Sequence, residues 1–462
     1  MLFNSVIFIF IFLPVTYAVF WALPSKNFRY AWLALSGYIF YGYWSRRYCL
    51  LMAFATLVSY LAGLGFLRWG NSKRIRKWLL VGPITVELGL LAYFKYTDFG
   101  IHTINAVLSW HEIEPLPLLN IILPIGISFY IFHTISYIVD CYLEVIEPTR
   151  NPLKFACYVS LFSQLVAGPI VRFTELKSDL EKIDAFDRRS FLDRGWSFFA
   201  IGLIQKVLIA DTIAAIIDPA LLDISQLSTV GAWMCMLGYT YQIYFDFSGY
   251  SNMAIGLGLL FGLHIPQNFN SPYRALNPAD FWRRWHMSLS RCFRDYVYVP
   301  MAGRRPSKTR LAWVTLATMT LCGLWHGANW TFVIWGAYHG VLLVLYLRYG
   351  VVWDAMPAWL QRTGTFFLVL IGLTMFRAPN WEYASAILSR MVVPHTGAEL
   401  VGGATLIMML VIAAGVAHVG PNAFELSHDW SPPKTVAIAT LFVLCLFSIY
   451  GANQSPFLYF QF

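Results

Sequence analysis

A chain of 462 residues that is 58% hydrophobic and 12% charged is excluded from the ordinary soluble globular class, where charged residues make up about a quarter. Apolar runs of about 18 or more residues recur along its length, each able to cross roughly 30 Å of hydrocarbon, which makes it a polytopic membrane protein. The formal charge of +9 sits in loops between spans, where cations set orientation and meet anionic lipid, so it does not argue for nucleic acid.

In chain order, residues 2–23, 28–44 and 48–67 read as three spans joined by very short turns. The first lacks a basic n-region and a small-x-small cleavage site, and reads as a retained span. Residues 68–77 carry five cations and no acid, which places that loop in the cytoplasm and the N-terminus outside. Residues 78–94 then cross outward, and 98–120, with His111, Glu112, Glu114 and two prolines, fit an exterior amphipathic segment.

Residues 121–139 re-enter through Leu123-Pro124-Ile125-Gly126. Residues 155–171 contain Gln164, Gly168 and Pro169, the pattern of a re-entrant or broken helix, tolerable where protein or water covers the freed backbone groups. Residues 172–194 carry six cations and six acids and read as a solvated helix along the cytoplasmic face. Residues 195–217 and 229–263 supply about three further spans, 311–347 two, and 366–376, 404–418 and 436–450 finish the set, giving about eleven crossings. The expected fold is an all-α membrane bundle forming a single domain over 1–462, with no soluble domain, linker or repeat. Seven cysteines, at 49, 141, 157, 235, 292, 322 and 445, show no C-x-x-C spacing and suggest neither a disulfide framework nor a zinc site.

The chemistry-bearing stretch runs from Phe281 to His326. It opens with Phe281-Trp282-Arg283-Arg284-Trp285-His286-Met287-Ser288-Leu289-Ser290, continues through a basic run, and ends in Gly323-Leu324-Trp325-His326-Gly327. An ionisable group within a membrane segment is expensive and functional by default, and imidazole exchanges protons near neutral pH. His326 therefore reads as a general base, with Trp325, Asn329 and Tyr338 as polar and aromatic neighbours. His286 reads either as a group that binds the acyl carbonyl or orients the donor, or as a loop residue that caps a helix or faces headgroups. Gly323, Gly327, Gly336 and Gly340 keep a four-residue spacing that lets helices approach closely.

Upstream, Tyr239, Gln242, Asp246, Gly249 and Met253 share one helical face, with Tyr244 close by. This polar stripe is either a buried network locking helices together, with Asp246 bonded to tyrosines or an arginine, or the lining of a substrate path. Arg283, Arg284, Arg291, Arg294, Arg304 and Arg305 are either phosphate-binding forks for a coenzyme A donor or the ordinary result of positive-inside topology. Cys322, one turn before His326, is an acylated nucleophile in one reading and a small buried hydrophobe in the other, and the second is preferred.

With these residues in view, the chain resembles the membrane-bound O-acyltransferases, and within them the bacterial alginate O-acetylase branch, which includes peptidoglycan and cellulose O-acetylation proteins. The resemblance runs nearly end to end. It rests on Phe3-Asn4-Ser5 with Phe12-Leu13-Pro14, on Leu123-Pro124-Ile125-Gly126-Ile127-Ser128-Phe129-Tyr130 and on Val166-Ala167-Gly168-Pro169. It continues with Tyr244-Phe245-Asp246-Phe247-Ser248-Gly249-Tyr250-Ser251, the 281–290 stretch, Leu324-Trp325-His326-Gly327-Ala328-Asn329 and the terminal 456–462.

By this resemblance, His326 matches the family's catalytic histidine in a membrane tunnel, and His286 its second signature position. The implied task is acetyl transfer from cytoplasmic acetyl-coenzyme A, with no tightly bound cofactor or metal. The acceptor is a hydroxyl on an exterior polysaccharide, such as alginate, peptidoglycan or cellulose, or on an exterior esterase-like (SGNH-type) partner protein. The implied location is the bacterial inner membrane. The loop Gly303-Arg304-Arg305-Pro306 departs from the Gly/Asn-rich loop expected there, which leaves the polymer open. The alternatives are D-alanyl transfer to teichoic acid from a carrier protein, and a transporter in which Asp246 and His326 relay protons; a transporter would be expected to show repeated halves.

Overall fold

The computed structural model describes residues 1–398, 400–451 and 457–458. Its secondary structure is helical, and among the described residues the extended pairing is an isolated bridge between Leu227 and Ala398. The chain forms two compact units, one of Met1–Gly195 with Leu257–Pro266, the other of Trp196–Gly256 with Gln267–Phe462.

In the first unit, Lys26–Gly42 and Arg46–Trp69 are helices where the second and third spans were expected, the latter long and apolar enough to cross a membrane, and residues 8–22 form a shorter apolar helix that starts with a π-helical turn. The segment after the basic loop differs from expectation. Lys73–Trp110 is one 38-residue helix, about 57 Å at 1.5 Å per residue, so residues 97–110 continue the helix of the preceding span without a break. No proline interrupts 84–114, and Asp98 has a local task. The Asp98 carboxylate accepts the backbone N–H groups of Leu119 and Ile121 at 2.9 and 2.8 Å, folding the following loop back onto the helix.

The interrupted re-entry is built by Gly126, whose φ of 74° starts the helix Ile127–Tyr142 from the left-handed region. The break in 155–171 is also present, as two short helices, Pro152–Ser160 and Phe162–Leu165, followed by irregular backbone. Side chains satisfy the freed groups: Gln164 Nε2 donates to the Tyr158 carbonyl at 2.6 Å, and the Tyr158 hydroxyl to the His133 and Val171 carbonyls. Glu87, fully buried, accepts hydrogen bonds from the hydroxyls of Ser59 and, at 2.8 Å, Thr134. The charged stretch 172–194 is not one surface helix. It is a short helix, Phe173–Glu181, then a connection, then the start of a helix that begins at Arg189.

The second unit carries the long helices Thr229–Leu260, Lys308–His326, Trp330–Asp354, Ala358–Arg377 and Pro432–Gly451, with the shorter Trp381–Val392 and Gly403–His418. Residues 195–217 and 229–263, expected to supply three spans, belong to two helices. Thr229–Leu260 is a single helix of 32 residues, about 48 Å at 1.5 Å per residue, and its internal glycines, serines and asparagine do not break it. Six helices among the described residues are long and apolar enough to cross a membrane, and Phe8–Ala22 and Gly403–His418 are shorter apolar ones.

Candidate active site

Two features of the second unit place His326. It is the last residue of Lys308–His326, and the next helix begins at Trp330 behind an Asn329 cap. The glycine spacing acts as expected: a Cβ on Gly336 would lie 3.0 Å from Gly323 Cα and overlap the Met319 carbonyl oxygen, so these helices meet backbone to backbone. Close approach brings side chains from the second helix over the end of the first.

His326 is buried in an aromatic cage. The ring centroids of Trp325, Trp335 and Phe376 lie 5.0, 5.2 and 5.4 Å from its own. The His286 ring is 6.3 Å away. His286 comes from the turn between the short helices Pro278–Arg284 and Met287–Phe293, and is fully buried rather than facing headgroups. It occupies the N-cap position of Met287–Phe293, but its side chain makes no capping bond. Instead, Nδ1 is 3.2 Å from Asn268 Oδ1, and the Phe247 ring stands edge-on to the imidazole at 4.7 Å. The structure therefore brings His286, His326 and Trp325 together.

A cavity of about 320 Å³ adjoins this cage, its wall including Trp282, Ser290, Phe293, Arg294, Thr318 and Cys322. Trp282, in the wall, contacts Trp335 at 5.8 Å and Phe293, also in the wall, contacts Trp325 at 6.4 Å, so on each of these routes two rings lie between this space and His326. Cys322, buried one turn before His326, lies in the wall.

Other candidate positions are placed elsewhere. Asn329 caps its helix, accepting from Thr331 N at 3.0 Å, and donates to the Pro379 carbonyl at 2.8 Å. The Tyr338 hydroxyl donates to the Leu368 carbonyl at 2.9 Å, tying two helices together. Tyr244 packs against Tyr273 at 5.1 Å and Phe269 at 6.0 Å. The stripe of Tyr239, Gln242, Asp246 and Met253 is buried as its spacing suggested. The partner of Asp246 is neither tyrosine nor arginine: Lys206 Nζ lies 2.5 Å from it and 2.7 Å from Asp211, and Leu458 N donates to its second oxygen at 3.0 Å.

The six arginines divide. Arg284 pairs with Asp280 at 3.0 Å and Arg294 with Asp295 at 2.7 Å. Arg291 is half-buried, while Arg283, Arg304 and Arg305 are exposed. Of the six, Arg294 borders the cavity.

Sequence reasoning missed Trp335 and Phe376 of the cage, Asn268 behind His286, and Lys206 and Asp211 beside Asp246. It also missed His339, buried with its ring 5.0 Å from Trp335 and 5.3 Å from Trp282. The rule that marked His326, an imidazole inside an apolar span, marks His339 equally.

The comparisons with known proteins give the family. The model of the family described as "MBOAT, membrane-bound O-acyltransferase family" matches residues 145–377. A protein named probable alginate O-acetylase AlgI from Pseudomonas putida is 38% identical over 100% of both chains. The peptidoglycan O-acetyltransferase of Helicobacter pylori is 33% identical over 100% of this chain and 98% of its own. The teichoic acid D-alanyltransferase of Bacillus subtilis is 30% identical over 64% of this chain and 82% of its own. The chain is an acyltransferase that belongs to the membrane-bound O-acyltransferase family.

Proposed function

We propose that this protein is an integral-membrane O-acetyltransferase that takes acetyl from cytoplasmic acetyl-coenzyme A and delivers it to a hydroxyl outside the membrane. It is read as a protein of the bacterial inner membrane with its N-terminus outside and about eleven crossings. A tunnel would join donor and acceptor at His326. The acceptor is a polysaccharide hydroxyl, alginate being the first candidate and peptidoglycan or cellulose the next, reached directly or through an esterase-like exterior partner. Acyltransferase membership removes the transporter reading.

The observation that carries the proposal is the pair of buried imidazoles, 6.3 Å apart, behind the wall of a mostly apolar cavity. In this reading His326 removes the proton from the acceptor hydroxyl as its oxygen attacks the thioester carbonyl. The tetrahedral intermediate collapses, the carbon–sulfur bond breaks, and the imidazolium returns its proton to the leaving thiolate. Base assistance of this kind supplies roughly two to four orders of magnitude. His286 orients the donor carbonyl. The cavity takes the thin, uncharged arm of the thioester donor, with Arg294 at its border and Arg304 and Arg305 exposed toward the phosphates. Cys322 serves as wall, not nucleophile.

The test uses purified protein in vesicles with acetyl-labelled coenzyme A and a polysaccharide acceptor. His326→Ala should insert normally and lose acetyl transfer. Full transfer by that variant would remove His326 as the base. D-alanyl transfer is the second reading, favoured by the similarity to the teichoic acid enzyme, and is separated by offering an aminoacylated carrier protein in place of the coenzyme A thioester.

A further inference from the structure

Resting on the reading of His286 as a working group, we propose that Asn268 is the positioning residue that fixes hydrogen on Nδ1 of His286 and so leaves proton exchange to Nε2. The argument begins with an atom that has no choice. The backbone N–H of Ser288 can only donate, and it lies 3.2 Å from one terminal atom of the Asn268 amide. That atom is therefore the oxygen, and the other, 3.1 Å from Ser251 Oγ, is the NH2 group. The Ser288 hydroxyl also donates to the same oxygen, at 2.8 Å.

The orientation of the amide settles the imidazole. His286 Nδ1 is 3.2 Å from that same oxygen, an atom that only accepts, so Nδ1 carries hydrogen in either charge state of the ring. The proton that comes and goes is the one on Nε2. A ring with its lone pair on Nε2 can take up a proton there and, once protonated, donate a hydrogen bond to the donor carbonyl; one with hydrogen already fixed on Nε2 could donate but take up no proton there.

Asn268 also holds the backbone that aims the ring. His286 has φ 42° and ψ 54°, a left-handed conformation that a non-glycine residue keeps only where its surroundings hold it. Met287 N donates to the Asn268 carbonyl at 2.9 Å, so side chain and main chain of one residue grip three successive positions, 286, 287 and 288. The Phe247 ring, edge-on at 89°, and Trp325, at 6.3 Å, then limit rotation of the imidazole.

The test compares Asn268→Ala with Asn268→Asp in the vesicle assay and reads the tautomer by 15N NMR of histidine-labelled protein, the His286 signal being identified by its loss in His286→Gln. A carboxylate at 268 still accepts from Nδ1–H and from Ser288, so Asn268→Asp should keep the Nδ1–H tautomer and stay within about tenfold of the parent kcat. Asn268→Ala should mix the tautomers and lower kcat by roughly 100-fold, with a smaller change in donor KM.

A parent protein whose neutral His286 carries its proton on Nε2 would overturn the proposal. So would an Asn268→Ala protein with unchanged tautomer and kcat. His286→Gln tests the underlying reading separately: full transfer by that variant would remove His286 from the reaction, while the 15N signal would still decide what Asn268 does to the ring.

Discussion

The second unit holds two buried polar sites of opposite construction. Around Lys206, one ammonium meets two carboxylates, Asp246 and Asp211, within 2.7 Å. Around His326 and His286, two imidazoles meet indole and phenyl rings and one neutral amide. Charges that compensate each other at contact distance hold position, because moving any one of them strands the others in a low dielectric. Imidazoles among rings keep no such tie, and their protons can leave without breaking an ion pair. The polar stripe and the histidine stretch, equally suggestive as sequence, thus separate into a charge-paired cluster and the proposed reaction centre.

The largest expected effect tests the second half of that contrast. His326→Gln should lower acetyl transfer by roughly 10²–10⁴-fold while the melting temperature in detergent stays near that of the parent. Lys206→Met should do the reverse in emphasis. It leaves two carboxylates facing each other without their cation, and breaking a buried pair costs about 3–5 kcal/mol, read as a large drop in melting temperature. If Lys206→Met melts like the parent and loses transfer as His326→Gln does, the charge cluster belongs to the chemistry and the contrast fails.

A smaller effect sharpens the role of the helix pair that presents His326. Gly323→Ala puts a Cβ into the Phe332 carbonyl oxygen and 3.0 Å from the Gly336 nitrogen and Cα. Both are backbone, so the helices must part, at about 1–3 kcal/mol. Because Trp335 rides on the displaced helix, transfer should fall as well, more than the stability change alone accounts for. Equal activity per folded molecule would show that the cage tolerates a shift.

Much of this was legible. Gly323, Gly336 and Gly340 announced close helix packing, Pro124 and Gly126 a broken entry, and Gln164, Gly168 and Pro169 an interrupted helix, because each acts on the backbone next to it. Asn268 was not legible. It meets His286 across a loop without periodicity, and nothing in an isolated asparagine 18 positions upstream points to an imidazole. The unbroken run of the 73–110 helix was not legible either, because the features that marked 98–120, namely His111, Glu112, Glu114 and two prolines, all lie beyond its last residue. Nor does the cost of burying imidazole discriminate by itself. His133, in the first unit, is fully buried, and neither ring nitrogen has a hydrogen-bond partner among the described residues. What distinguishes His326 from His133 is a second imidazole 6.3 Å away, and that is a property of the fold.

The smallest effect comes from a histidine of a third kind, outside the spans and tied to a charge. His264 follows the helix Thr229–Leu260; its Nδ1 is 3.0 Å from Asp179 Oδ2, which also accepts its backbone N–H at 2.8 Å. The hydrogen bond to Asp179, with the charge behind it, raises the imidazole pKa above its ordinary value, against partial burial and the nearby Arg194. A raised folded-state pKa stabilises the protein fully below the unfolded value of about 6.5, and that contribution is lost as pH rises through the folded value. Asp179→Asn keeps an acceptor and removes the charge. Its deficit in stability should be present at pH 5.5 and shrink toward pH 9, and should stay under about 1 kcal/mol because the His264 side chain is 52% exposed. A deficit of equal size at both pH values would mean that the carboxylate serves as a loop acceptor alone, and that of these sites only the Lys206 cluster is held by charge.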